Sequence, residues 1–306
     1  MNKLGIIGAA GGVGATMAFH AGHQGFFDEI AMVDIKRDPL TSHRMDIEQS
    51  VGDSGSAKFF SGGWEFLEGC DIVFMAASAP QPRAGSRNEF LRINRDIVVS
   101  AAEAIGKYCP DAVVFTATCP TDVFNYVFHR KLGGDRRRFI GLTRNDTVRL
   151  RWAVSRVLGV EMRRVDGMVV GEHGASQVPL YGMTTIDGKP ANLRFDQITE
   201  VDAILKNYFA EQMRLDANRS STWLTPTSSA VVLRALCGKG QDGPIPASAV
   251  LDGEYGMAGL SLGVPVWFGA EGWSKIEEVV LSAGERSALE ASGERVRSMI
   301  DACGPL

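Results

Sequence analysis

Four short apolar runs, KLGIIG, EIAMVD, CDIVFMAA and DAVVFTAT, recur through the first half of the chain, with amphipathic segments between most of them. This alternation constrains the fold more than any other feature. A strand that is apolar along its whole length must be covered on both faces, and helical segments between such strands supply the covers. Strands joined through helices pair in parallel. The expected architecture for residues 1–143 is therefore α/β, a doubly wound parallel sheet.

After RFIGLT, residues 138–143, the rhythm changes. The pattern predicts a helix at about 146–158, strand-like VDGMVVG and YGMTTIDGKPANLRF, long helices between 196 and 237, and a β-rich stretch from 244 to 269. Helices and hairpins now come in blocks, which predicts an α+β domain over residues 144–306. The last helix is opened by SAGE, where Ser282 and Glu285 have capping-box spacing and Leu289, Val296 and Ile300 form an apolar stripe. A chain of 306 residues is long enough for two such domains with a substantial core.

Composition removes several classes of function. A formal charge of −4 argues against a nucleic-acid surface, and the locally basic HRKLGGDRRRF at 129–139 is expected to solvate an exposed turn. No segment reaches the ~18 uncharged residues of a membrane span, and MNKLGIIG enters a strand-like run with no export signal. A cytoplasmic protein without a membrane partner is expected. The five cysteines form an odd set with no CxxC pair and no clustered histidine, so they predict reduced, mostly packed thiols, with neither a disulfide framework nor a metal site.

The glycine-rich GAAGGVG places Gly8, Gly11 and Gly14, with Gly12 and Val13 between them, where a strand gives way to a helix. Glycines there permit a tight turn and close approach of the backbone to a pyrophosphate at the helix N-terminus, although an ordinary strand–helix turn has the same appearance. Asp34 ends the second apolar run about twenty residues further on. A carboxylate there accepts hydrogen bonds from an adenosine ribose and repels a ribose phosphate, which favours NAD over NADP. The alternative is an aspartate that caps a turn, and Lys36 and Arg37 follow closely. The first domain thus reads as a Rossmann dinucleotide-binding unit.

A second informative stretch is VVGEHGASQVPLYG, in which His173 follows an apolar strand and lies between glycines. A histidine so placed is either a satisfied structural residue or an accessible acid–base group. Asp146, in TRNDTVRLR, is a carboxylate able to hold its tautomer, and Arg149 lies one helical turn from Asp146.

GAAGGVG, VDI, AGSR, NDTVRLR and GEHGASQVPL together resemble, in order and approximate separation, the L-lactate and L-malate dehydrogenases. The resemblance runs on through STW at 221–223 and YGMAGLSLGVPVWFGAEGWSKIEEVVLS. It implies an NAD-dependent enzyme that interconverts a 2-keto and a 2-hydroxy acid, as a homodimer or homotetramer. By resemblance, His173 transfers the proton, Asp146 stabilises its imidazolium, Arg149 grips the substrate carboxylate, and Arg87 closes over the substrate on a mobile loop. In the family the residue six positions before the closing arginine sets substrate choice. Here it is Gln81, which implies pyruvate and L-lactate; Arg83, two residues on, leaves L-malate or a bulkier hydroxy acid as alternatives. Cys119 stands where the family has an asparagine, and Ser221 where lactate enzymes have a threonine; both are assigned to the substrate pocket. The competing class is a non-catalytic NAD-sensing Rossmann protein, a reading that rests on Cys119.

Overall fold

In a computed structural model that describes residues 2–79, 87–215 and 221–304, with backbone alone at 87–90, 209–210 and 212–213, the alternation becomes a layered sheet. The first half runs β1 (Lys3–Ile7), α1 (Gly12–His23), β2 (Glu29–Val33), α2 (Arg37–Gly52), β3 (Lys58–Gly62), β4 (Ile72–Met75), α3 (Arg87–Tyr108), β5 (Val113–Thr116), α4 (Thr121–Leu132) and β6 (Phe139–Leu142). The strands lie in the order β3-β2-β1-β4-β5-β6, all parallel. Central β1 is in register with both neighbours, Leu4 opposite Ile30 on one side and Ile72 on the other. Chain order reverses across β1, so the crevice at the carboxyl ends of β1 and β4 is where a sheet of this kind takes a ligand.

The apolar runs are long because both faces are covered. Leu4, Ile6, Ile30, Met32, Phe74 and Phe115 are fully buried, and the rings of Phe74 and Phe115 meet edge-on at 5.3 Å across the β4–β5 pair. Burial of each such side chain contributes about 1.5–3 kcal/mol. β3, unread in the sequence, is the edge strand, and only Phe59 within it is buried, so it carries no apolar run.

The second half contains α5 (Arg144–Leu158), β7 (Val165–Asp166), β8 (Val169–Gly171), β9 (Gln177–Pro179), β10 (Thr185–Ile186), β11 (Lys189–Pro190), α6 (Phe195–Arg214), α7 (Leu224–Leu236), β12 (Ile245–Asp252), β13 (Ala258–Gly269), β14 (Gly272–Ile276) and α8 (Ala283–Ala302). This is the expected mixture of helices and antiparallel hairpins. β12 pairs antiparallel with β6, Ala247 opposite Leu142, so the parallel sheet continues through β12-β13-β8-β9 without a break. The predicted strand-like YGMTTIDGKPANLRF is mostly turn. Tyr181–Met183 is a short 3-10 helix, and Asp187 and Gly188, both at positive φ, bend the chain between the two-residue strands β10 and β11.

The capping box forms as read. Ser282 Oγ accepts the Glu285 N–H, the Glu285 carboxylate accepts the Ser282 N–H at 2.8 Å, and Leu289, Val296 and Ile300 are buried. The basic run does more than solvate a turn. Arg136 donates to the Val250 carbonyl and pairs with Glu254, both at 2.7 Å, and Arg138 donates to the Pro110 carbonyl at 2.6 Å, which ties the end of α4 to β12 and to the start of β5. The cysteines are unpaired; Cys70, Cys109 and Cys303 are buried, Cys237 half-buried and Cys119 exposed. No helix among the described residues is long and apolar enough to cross a membrane.

Candidate active site

β1 runs out at Ile7 and the chain turns at Gly8, whose φ of +89° an L side chain rarely adopts; a Cβ there would also meet the Ala77 backbone nitrogen at 2.5 Å. Gly14 faces the Gly8 carbonyl with no room for a side chain, so α1 starts directly against the end of β1. Gly11 is the N-cap and offers no side-chain acceptor, which leaves the amino end of α1 to be satisfied by something else. Gly11 and Gly12 are exposed and Val13 is half-buried. These are the features a bound pyrophosphate needs, namely close backbone approach, exposed N–H groups and a favourable helix dipole.

Asp34 follows the end of β2. One carboxylate oxygen accepts the Ala10 N–H at 3.0 Å and the other the Lys36 N–H at 2.9 Å. It therefore braces the glycine loop and caps a turn, with one lone pair on each oxygen left to accept from a ribose hydroxyl. Of the two sequence readings of Asp34, the turn cap is observed, and the free lone pairs leave room for the ribose contact. The residues present fit NAD: the Gly8–Gly14 loop and the α1 N-terminus for the pyrophosphate, Asp34 for the adenosine ribose.

The group predicted around His173 gathers just after β8. Gly171 ends β8 at a φ of +88°, and two residues later the His173 ring sits only 14% exposed. Its Nδ1 meets the Asp146 Oδ2 on the first turn of α5 at 2.5 Å, and Arg149, one turn on, reaches Asp146 Oδ1 with Nη1 at 3.2 Å. Burial opposes a charge on the imidazole, but Asp146, by charge and hydrogen bond, and the bonded Cys119 thiol outweigh it and hold the His173 pKa well above the usual value. With Nδ1 committed to Asp146, Nε2 is the nitrogen left to exchange a proton. Arg149 lies over the Tyr208 ring with its guanidinium carbon 4.9 Å from the centroid, and its buried Nε makes no hydrogen bond among the described residues. Such a fixed, planar cation suits a carboxylate.

The structure thus brings together His173, Asp146, Arg149 and Cys119. Cys119 follows the end of β5 and is joined to Pro120 by a cis peptide. Ser221 lies just before α7, and its neighbour Thr222 packs against Gly12, 3.0 Å from where a Cβ would stand, so this segment meets the glycine loop. Asn145 is buried and donates to Thr225 at 3.0 Å, a polar link between α5 and α7. Gln81 and Arg83 lie outside the described residues; Arg87 is the first residue of α3, and its side chain lies outside them too.

Three residues at the site escaped the sequence reading. Asn94, fully buried on α3, accepts the Ala79 N–H at 2.8 Å and donates to the Cys119 carbonyl at 3.4 Å, stapling the segments after β4 and β5. Asp122, at the start of α4, accepts the His173 backbone N–H at 2.8 Å. Glu172 is buried, accepts from the Ser176 hydroxyl and pairs with Arg295 at 2.9 Å. The available signal was a carboxylate in the first turn of a helix that follows a sheet strand, and one beside the candidate histidine.

The chain is matched from end to end by known proteins. Residues 2–141 match the family model for the lactate/malate dehydrogenase NAD binding domain, and residues 143–303 that for the lactate/malate dehydrogenase alpha/beta C-terminal domain. A malate dehydrogenase of Sulfurimonas denitrificans is 32% identical over 304 residues, covering 98% of this chain and 95% of its own. A crystal structure of Cryptosporidium parvum malate dehydrogenase superposes with a TM-score of 0.93 at 30% identity, covering 100% of this chain and 99% of that one. The minor L-lactate dehydrogenase of Enterococcus mundtii shares the fold at a TM-score of 0.90 and 24% identity, with 98% of each chain covered. The chain belongs to the lactate/malate dehydrogenase family, NAD-dependent oxidoreductases that act on the CH–OH group of 2-hydroxy acids.

Proposed function

We propose that oxaloacetate and L-malate are the preferred substrate pair, and that His173, Asp146 and Arg149 perform the proton transfer and substrate binding. The observation that carries the choice of substrate is the end-to-end similarity to malate dehydrogenases at 30–32% identity. The chemistry NAD supplies when bound is hydride transfer to or from the carbon that carries the oxygen. Arg149 holds the substrate carboxylate bidentately and so fixes the carbonyl against His173. In the reductive direction the imidazolium gives its Nε2 proton to the carbonyl oxygen while Asp146 stabilises the charge and orients the ring. In the oxidative direction neutral Nε2 takes the proton back. Arg87, by family resemblance, closes over the substrate, expels water and places a cation at the polarised oxygen.

Gln81 supports the second reading, pyruvate and L-lactate, which the sequence alone favours. For malate a second carboxylate needs a second cation, and Arg83 is the residue proposed to supply it. Steady-state NADH oxidation with oxaloacetate and pyruvate in parallel is the test. The expected result is a higher kcat/KM for oxaloacetate, lost by roughly tenfold or more in Arg83→Ala with pyruvate unaffected, about 1.4 kcal/mol of selective binding. A preference for pyruvate establishes the Gln81 reading instead. Homodimeric or homotetrameric assembly and a cytoplasmic location are proposed on family resemblance.

A further inference from the structure

His173 is held at two points, and only one of them is on its ring. Its backbone N–H is bound by Asp122 Oδ2 at 2.8 Å, while Asp122 Oδ1 accepts the Ser248 hydroxyl of β12 at 2.6 Å. Ser248 Oγ lies 2.8 Å from Ser261 Oγ of β13, which accepts from Asn125 Nδ2 of α4 at 2.8 Å. Because the one Ser248 proton goes to Asp122, Ser261 must donate to Ser248. The proton order is then fixed along the chain: Asn125 to Ser261 to Ser248 to Asp122, with His173 donating to the same carboxylate from the other side. Asp122, Asn125, Ser248 and Ser261 are all at most 1% exposed, so solvent cannot replace a missing partner.

We infer that Asp122 is a positioning residue for His173: a buried carboxylate on the first domain's α4 that fixes the His173 main chain and contributes negative charge behind the imidazolium. The inference rests on the dehydrogenase reading of His173. Asp146 orients the ring and Asp122 places the backbone that carries it, so the two carboxylates have separate tasks. The groups that face Asp122 are His173 and Glu172 from the segment after β8 and Ser248 from β12. Burial raises the Asp122 pKa to about 6, with Glu172 adding to the rise, while the Ser248 hydroxyl, the His173 N–H and the His173 charge oppose it. Arg295 offsets part of the Glu172 charge through its ion pair. Asp122 therefore gains its proton just below neutral pH, where the charge behind His173 is lost.

The test follows the His173 imidazole by NMR in the protein without substrate, across pH, alongside steady-state kinetics. The chain has five histidines, so the His173 signals are assigned by their loss in His173→Gln. In Asp122→Asn the amide oxygen still accepts the His173 N–H, and its NH2 donates to Ser248, whose proton turns to Ser261. The contact is kept and the charge removed. The expected result is a His173 pKa lower by roughly one unit. At a pH above that pKa, kcat for keto-acid reduction falls about tenfold, with KM within about twofold. Asp122→Ala, which also orphans the N–H, is expected to lose more, and Asn to recover part of the loss. The inference is overturned if the His173 titration is the same in wild type and Asp122→Asn and kcat is unchanged in both Asp122 variants, or if these variants lose only Tm. Should the wild-type protein oxidise no NADH with any 2-keto acid, the dehydrogenase reading fails, yet the titration still decides whether Asp122 governs His173.

Discussion

The chemistry proposed for the chain turns on the charge of one imidazole. Burial alone would discharge His173, and Asp146 at 2.5 Å reverses that outcome, holding the pKa well above the usual histidine value. Keto-acid reduction needs the imidazolium, so kcat for that direction is expected to be flat at low pH and to fall as pH rises through the raised pKa; hydroxy-acid oxidation has the opposite slope. Asp146→Asn removes the carboxylate and leaves burial in control. The reductive limb is then expected at lower pH, with kcat at neutral pH down roughly a hundredfold. Initial rates across pH check this, and an unmoved limb would mean that Asp146 does not set the charge. His173, Asp146 and Arg149 were legible in the sequence because each sits in a short motif with a local reason to be there. Asp122 was not, because its partners His173 and Ser248 are 51 and 126 positions away. Cys119 was legible as an oddity, but its contact with His173 needed the fold.

The glycine turn between β1 and α1 was readable because its requirement is local: a positive φ and no room for a Cβ. Gly8→Ala violates both and should push the loop out of the shape that meets a pyrophosphate. The expected effect is a weakening of NADH binding by roughly tenfold, about 1.4 kcal/mol, read by fluorescence titration of the folded variant. Affinity equal to wild type would show that the loop is an ordinary turn. The same local logic revealed the capping box of α8. It failed for β3, an edge strand with one buried side chain, and for the short hairpin β10–β11, where two-residue strands carry too little pattern to separate from turn. Strand registers, set by partners distant in sequence, were beyond reach for the same reason.

The two halves share one sheet, because β12 is laid against β6 more than a hundred residues after it. The candidate site draws on both: the glycine loop, Cys119 and Asp122 come from the first half, and Asp146, Arg149 and His173 from the second. Past β6 the pairing of the sheet turns antiparallel, and nothing in the sequence rhythm announced that the sheet would continue. Neither half alone carries both the dinucleotide loop and the acid–base pair, so activity should require the intact chain. The measurement that bears most directly on the proposed chemistry is NADH absorbance at neutral pH with a panel of 2-keto acids, for wild type and for His173→Gln with NADH affinity checked in parallel. The expected result is one NADH consumed per keto acid by the wild type and a loss of roughly a hundredfold or more in the variant, with binding of NADH retained. Undiminished turnover in His173→Gln, or no NADH oxidation by the wild type with any 2-keto acid, would contradict it.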